Sequence, residues 1–115
     1  MLPRPPIVFV IIAASVVSYL LPPGTSLAAG DPKAGRKKAL ECQTCHGLDG
    51  VSKLPEAPHL SGQVEIYLVK ALNDYKSGAR TNEMMSLVAS PLSDSDIADL
   101  AAWYSAIEIT VQKPR

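Results

Sequence analysis

The chain has 115 residues, room for one small domain, with eleven Lys and Arg against eleven Asp and Glu and only two cysteines. It has no basic stripe and no interleaving of basic with aromatic residues, which excludes a nucleic-acid-binding surface. No repeat or low-complexity segment is present, which excludes repeat architectures.

The first element is a targeting segment. Arg4 is the only charged residue before Asp31, and Ile7 to Leu21 is an apolar run of fifteen residues. Pro22, Pro23 and Gly24 break the run and small residues follow. A basic start, a short apolar stretch and small residues form the pattern of a secretory signal peptide. Cleavage is expected after Ala28, Ala29 or Gly30, which gives a signal over 1–29, a domain over 30–108 and a tail over 109–115. The alternative is a retained membrane anchor, but the run is short against the roughly 20 residues of a spanning helix. The exported chain then has a net charge of −1, one tryptophan, three tyrosines and no phenylalanine. A domain this small, with so few large aromatics, is marginal without a disulfide, a metal or another buried object.

Asp31 and Pro32 open the domain as helix N-cap and first helical residue. A helix is predicted from Pro32 to about Glu41. Gly35 lies inside it at a cost of about 1 kcal/mol relative to Ala, which points to a close helix crossing. The pair Cys42 and Cys45, with His46 directly after, comes next. Gly47 to Gly62 reads as one irregular loop, with three glycines and two prolines in sixteen residues. A loop above about 12–15 residues is usually functional or disordered, and wrapping a cofactor would account for this one. A second helix is predicted from Gln63 to about Ser77, with Val64, Leu68, Ala71, Leu72 and Tyr75 on one apolar face. Gly78 stops it. No element is assigned to RTNEMMS (Arg80–Ser86). The last helix has Ser93 as N-cap, Asp96 three residues on in a variant capping box, and Leu92 and Ile97 at the staple positions. It is predicted to reach about Ile107, with Ile97, Leu100, Ala101 and Tyr104 buried. Helices joined by long loops, without strand alternation, predict an all-α domain.

Four chemistries could use Cys42 and Cys45. A plain disulfide suits an exported chain but needs no His46. A thioredoxin-type redox pair belongs beside a βαβ pattern, which this sequence lacks. Zinc could draw on Cys42, Cys45, His46 and His59, yet adjacent Cys45 and His46 do not easily reach one tetrahedral ion. Covalent haem fits best, because Cys-x-x-Cys-His is the attachment signature of c-type haem. Two thiols at that spacing bond to the two vinyl groups on one porphyrin edge, and the next residue brings its imidazole to the iron. The haem would also supply the missing apolar bulk of the core. One axial position is left, with His59, Met84 and Met85 as candidates. A thioether raises the potential and suits electron transfer, a second imidazole lowers it, and an open position allows gas or peroxide chemistry.

The ordered pieces resemble a known family. Gly35, CQTCHGLDG (Cys42–Gly50), PHLSGQ (Pro58–Gln63), YLVKAL (Tyr67–Leu72), KSGARTNEMM (Lys76–Met85) and LSDSDIADLAAWY (Leu92–Tyr104) stand as in a class I cytochrome c of the small bacterial c-553 and c4 type. The resemblance covers essentially all of the chain from Asp31 to Ile107. It implies a small fold of three to four helices and long loops around one covalent haem c. It implies His46 as proximal ligand and Met85, seven residues before Leu92, as the distal one, with Met84 as the fallback. Pro58, twelve residues after His46, corresponds to the family proline whose carbonyl accepts a hydrogen bond from the ligand's other ring nitrogen. Gly35 corresponds to the close crossing of first and last helices, with Trp103 at the aromatic position.

The implied function is that of a periplasmic one-electron carrier, not an enzyme, between a dehydrogenase or membrane complex as donor and an oxidase or reductase as acceptor. The c4 proteins carry two such domains, whereas this chain has one haem motif. The family also includes fixed haem subunits, as in flavocytochrome c sulfide dehydrogenases, and that alternative stays open. An alternative of another class is a ligand-binding haem sensor or peroxidase. Membrane association is expected only if the signal segment is retained.

Overall fold

The computed structural model describes residues 29–115, so the predicted signal segment lies outside the described residues, except for its last position. Five α-helices and one 3-10 turn follow in order: α1 (Pro32–Lys38), the turn (Ala39–Glu41), α2 (Gln43–His46), α3 (Glu65–Ser77), α4 (Glu83–Ala89) and α5 (Asp94–Ser105). No strand occurs among the described residues, and no helix there is long and apolar enough to cross a membrane.

α1 starts as predicted, with the Asp31 carboxylate accepting the Lys33 N–H over 2.8 Å. It packs across α5. Gly35 is buried at the crossing, where a Cβ would overlap the Asp99 carbonyl and meet the Trp103 Cβ at 2.9 Å. The absent side chain therefore sets how closely the two helices approach. The Asp99 carboxylate strengthens the contact by accepting the Asp31 N–H over 2.7 Å.

The single helix predicted to Glu41 tightens at Ala39 into a 3-10 turn, as helix C-termini often do. Ala39 is fully buried there, and its carbonyl accepts the Cys42 N–H over 3.0 Å. The tightening turns the chain away from the α1 axis and into the cysteine segment.

α3 begins two residues later than predicted. The Gln63 N–H donates to the Leu60 carbonyl in a turn, and Val64 becomes the N-cap with 63 % exposure. Val64 is therefore off the apolar face, while Leu68 is buried and Ala71, Leu72 and Tyr75 are partly buried. α5 is capped as predicted. Ser93 and Asp96 form the reciprocal box, and Leu92 and Ile97 are both buried. It ends at Ser105 rather than Ile107, because the Gly62 N–H takes the Tyr104 carbonyl over 2.9 Å.

α4 was not anticipated from the sequence. Its N-cap is Asn82, whose side chain accepts the N–H groups of Met84 and Met85. Met85, Val88, Ala89 and Leu92 then recur at helical spacing toward the core. Helix α3 packs against both α4 and α5. The buried side chains form one small cluster of Ala39, Leu68, Ala89, Leu92, Ile97, Leu100, Ala101 and Tyr104. Among the described residues, Ile97 is the only large side chain buried to within 2 % exposure. Side chains alone make a thin core.

Candidate haem site

The one-turn helix α2 carries the motif. Cys42 is its N-cap, and Cys45 and His46 lie within it. Both cysteines are free thiols, partly buried, and His46 is 7 % exposed. All three border a cavity of about 220 Å³ walled mainly by apolar groups of α3, α4 and α5.

His46 is oriented from behind. Its Nδ1 lies 2.9 Å from the Pro58 carbonyl oxygen. A carbonyl only accepts, so Nδ1 carries the proton and Nε2 keeps its lone pair. That is the tautomer a metal-ligating imidazole needs, with the ring held by an outer hydrogen bond. The contact sits twelve residues along the chain, at the expected proline.

The irregular Gly47–Gly62 segment is held closely. The Lys53 N–H donates to the Cys45 carbonyl over 2.9 Å, and the Leu60 N–H to Gly50 over 2.7 Å. Two aromatic side chains of α5 reach across to it. The Trp103 indole donates to the Leu48 carbonyl over 3.1 Å and the Tyr104 hydroxyl to the Gly47 carbonyl over 3.1 Å. Sequence reasoning missed both donors. It read Trp103 as a helix-crossing residue and Tyr104 as plain core.

The electrostatics separate the chemistries. Burial, reinforced by the Glu41 carboxylate, pushes the Cys42 thiol up to about 11. A reactive redox pair needs a thiol pushed the other way. His59 is exposed, and its Nδ1 accepts the Ser52 N–H over 2.8 Å at the cavity rim. Among the described residues no three of His, Cys, Asp and Glu gather as a metal site requires, so Cys42, Cys45, His46 and His59 do not form a zinc cluster. What remains fits a large apolar disc. Two thiols and a correctly protonated imidazole share the rim of an apolar cavity, in a domain whose own core is thin.

Both methionines border the cavity, unequally. Met84 is 61 % exposed, whereas Met85 is partly buried on the side of α4 that carries Val88 and Ala89 inward.

Comparison with known proteins agrees with this geometry. The cytochrome c family model matches residues 32–106. Cytochrome c4 of Pseudomonas aeruginosa is 46 % identical over 88 residues, covering 76 % of this chain and 44 % of that protein. Cytochrome c-554(548) of Halomonas halodenitrificans is 43 % identical over 83 residues, covering 70 % of this chain and all of that protein. The crystal structure of reduced cytochrome c4 from Pseudomonas stutzeri superposes with a TM-score of 0.67 at 41 % identity, covering 72 % of this chain and 48 % of that one. The chain thus spans about half the length of its c4 relatives. A family that attaches haem c through this Cys-x-x-Cys-His spacing accounts for the motif, the cavity and the thin core together, and the chain belongs to the cytochrome c family.

Proposed function

We propose that this chain is a periplasmic one-electron carrier with one haem c, which Cys42 and Cys45 would hold covalently and whose iron His46 and Met85 would ligate. The observation that carries the reading is the His46–Pro58 hydrogen bond, which leaves the Nε2 lone pair free in a cavity shared with two thiols and a partly buried thioether.

A haem held there would supply one-electron chemistry at its iron, with no bond of a substrate made or broken. The protein's own part is positional. Cys42 and Cys45 anchor one edge. The Pro58 carbonyl keeps the His46 ring in one orientation. Leu68, Leu92 and Leu100 wall the cavity against water, which limits reorganisation when the charge changes. Met85 supplies the thioether that raises the potential toward the range of an electron carrier.

The same reading assigns residues 1–29 to a removed signal, 30–108 to the haem domain and 109–115 to a tail. Donor and acceptor are redox proteins of the dehydrogenase, oxidase or reductase classes, met at the cavity rim.

The test is the visible spectrum of the exported protein, oxidised and reduced, beside Met85→Ala and Met84→Ala. Sharp reduced c-type bands are expected, with a weak long-wavelength sulfur-to-iron band that Met85→Ala abolishes and Met84→Ala keeps. A band lost in Met84→Ala instead reassigns the ligand. A wild-type protein that never shows the band and binds carbon monoxide rapidly is a ligand-binding haem protein, and the carrier reading fails.

A further inference from the structure

One imidazole of this chain has no part in the site as described so far. His59 is exposed, yet its Nδ1 accepts the Ser52 N–H over 2.8 Å from seven residues away. A nitrogen that accepts carries no proton, so the ring is neutral with its proton on Nε2. The bond closes the neck of a short excursion, residues 53–58, beside the Leu60 N–H that takes the Gly50 carbonyl over 2.7 Å. That excursion touches the cysteine–histidine turn at both of its ends. Lys53, next to Ser52, donates its N–H to the Cys45 carbonyl over 2.9 Å. Pro58, next to His59, has its carbonyl oxygen 2.9 Å from the His46 Nδ1.

Pro58 cannot anchor its own main chain through an N–H, because proline has none. Before it, the Ala57 N–H donates to the Leu54 carbonyl over 3.1 Å, a contact inside the excursion that moves with it. After it, the His59 side chain ties the segment to Ser52. A closed circuit thus runs from His46 through Pro58, His59, Ser52 and Lys53 back to Cys45, the residue before His46. The group that closes the circuit can titrate. A second proton on this ring goes to Nδ1, and a protonated Nδ1 meets the Ser52 N–H as donor against donor. Among the described residues no carboxylate lies within ion-pair distance of His59 to hold a charged ring in place. The charged groups of its own loop are Asp49, Lys53 and Glu56, and Asp49 and Lys53 pair with each other. Across the cavity the charged lining groups are Glu41 of the 3-10 turn and Arg80 beyond α3, with the phenols of Tyr67, Tyr75 and Tyr104.

Resting on the haem reading above, we propose that His59 is a positioning residue for the His46 ligand. Its neutral Nδ1, by holding the Ser52 N–H, fixes the Pro58 carbonyl against His46, and protonation of the ring releases that hold. An outer hydrogen bond raises the basicity of a ligating imidazole, and a more basic ligand favours Fe(III), the more highly charged state. Opening the clasp therefore raises the potential. Imidazole is the side chain that changes charge between about pH 5 and 8, so the carrier becomes the stronger oxidant as its surroundings acidify.

The experiment compares intact haem-loaded wild type with His59→Asn and His59→Leu from about pH 5 to about pH 9. Asparagine offers the Ser52 N–H an oxygen acceptor that does not titrate, and leucine offers none. Two quantities are read, the midpoint potential and, by proton NMR of the reduced protein, the exchange rate of the His46 Nδ1 proton. At the alkaline end, His59→Leu is expected to exchange about fivefold faster than wild type, the factor that one neutral hydrogen bond sets, and to have the higher potential. That gap is expected to close on acidification. His59→Asn is expected to match wild type at the alkaline end and to fall below it in potential at the acid end. A leucine variant equal to wild type in both readings at the alkaline end overturns the proposal, because His59 then acts by charge alone. An asparagine variant that follows wild type at every pH overturns it too, and this arm decides if the leucine variant matures too poorly to measure. A wild type with a methionine-ligated spectrum and unmoved His59 variants sinks this assignment alone. A wild type without covalent haem sinks the carrier reading with it.

Discussion

Tyr104 donates its hydroxyl proton to the Gly47 carbonyl over 3.1 Å, joining the last helix to the residue that follows His46. Both partners are buried, and the next residue back along α5, Trp103, holds the Leu48 carbonyl in the same way. Two consecutive carbonyls of an irregular loop are thereby satisfied by two consecutive helix residues. Buried carbonyls need partners, and the loop's own Gly50 N–H, 3.2 Å from the Gly47 carbonyl, is here joined by two donors from α5. The helix pair α1–α5 and the histidine-bearing turn behave as one unit.

Tyr104→Phe removes that donor and keeps the ring. The buried Gly47 carbonyl then keeps only the Gly50 N–H, at 3.2 Å, so the loss is that of one neutral hydrogen bond, about 1 kcal/mol. Denaturant titration of the haem-loaded protein checks the value. Trp103→Phe takes the indole donor from a carbonyl of a residue that is only partly buried, and is expected to cost no more than that.

The same residue sets an alkaline limit. Burial, with the nearby Cys42 and Asp49 charges, holds the Tyr104 phenol well above its ordinary value. In the unfolded chain it ionises near pH 10, so native stability is full below about pH 10 and declines above it. Cys42 adds nothing to this once its sulfur is a thioether. Stability measured from pH 8 to 11.5 is expected to fall more steeply for wild type than for Tyr104→Phe, and parallel curves would refute the linkage.

Gly35 and Gly78 are required for different reasons, and alanine at each separates them. At Gly35 the new methyl meets the Asp99 carbonyl and the Trp103 Cβ, so α1 must move off α5 at a cost of about 3 kcal/mol. At Gly78 a Cβ meets nothing within 4 Å, but φ is +80°, and the left-handed backbone costs an L-residue about 1 kcal/mol. Thermal unfolding is expected to show the larger drop for Gly35→Ala. Equal drops would mean that the crossing is looser than described.

Pro58 acts through its main chain. Its carbonyl accepts from His46, and alanine has the same carbonyl. Pro58→Ala is therefore expected to lose about 1 kcal/mol through the freer unfolded chain while the hydrogen bond persists. Proton NMR of the reduced protein should still show a slowly exchanging His46 Nδ1 proton. Its disappearance would mean that proline rigidity holds the contact.

The capping box of α5 governs the acid side. The Ser93 N–H, and then its hydroxyl, hold the Asp96 carboxylate below its ordinary range. That stabilisation is present above the unfolded value of about 3.9 and is lost as pH falls below it. Ser93→Ala is expected to cost about 1 kcal/mol at neutral pH. Asp96→Asn should flatten the stability profile below about pH 4. An unchanged acid limb in Asp96→Asn would place the acid sensitivity elsewhere, with Asp49 the next carboxylate to examine.

Much of this fold was legible because its signals are local. Asp31 and Ser93 cap the helices they were expected to cap, and Ile97, Leu100, Ala101 and Tyr104 are buried together as their spacing predicts. Gly35 announced a crossing because a glycine inside a helix has a local cost. Helix α4 was missed although its signals were present. Asn82, Met85, Val88, Ala89 and Leu92 have the cap and the period, but a seven-residue helix gives that period barely two turns in which to repeat. Val64 was misplaced because an apolar side chain at a helix start has the same periodicity whether or not its backbone has turned into the helix.

The sequence by itself determined the Cys-x-x-Cys-His chemistry, the helix caps and the inward face of α5, because each depends on residues within one or two turns of one another. Pro58 and Met85 came from the family resemblance, and only the tertiary structure decided that Trp103 and Tyr104 secure the loop from 55 and 57 residues away. Those contacts are set by the angle at which α5 crosses α1 and by how α4 packs on α3. A helical period reports which side of a helix is apolar, and it carries no information about what lies opposite.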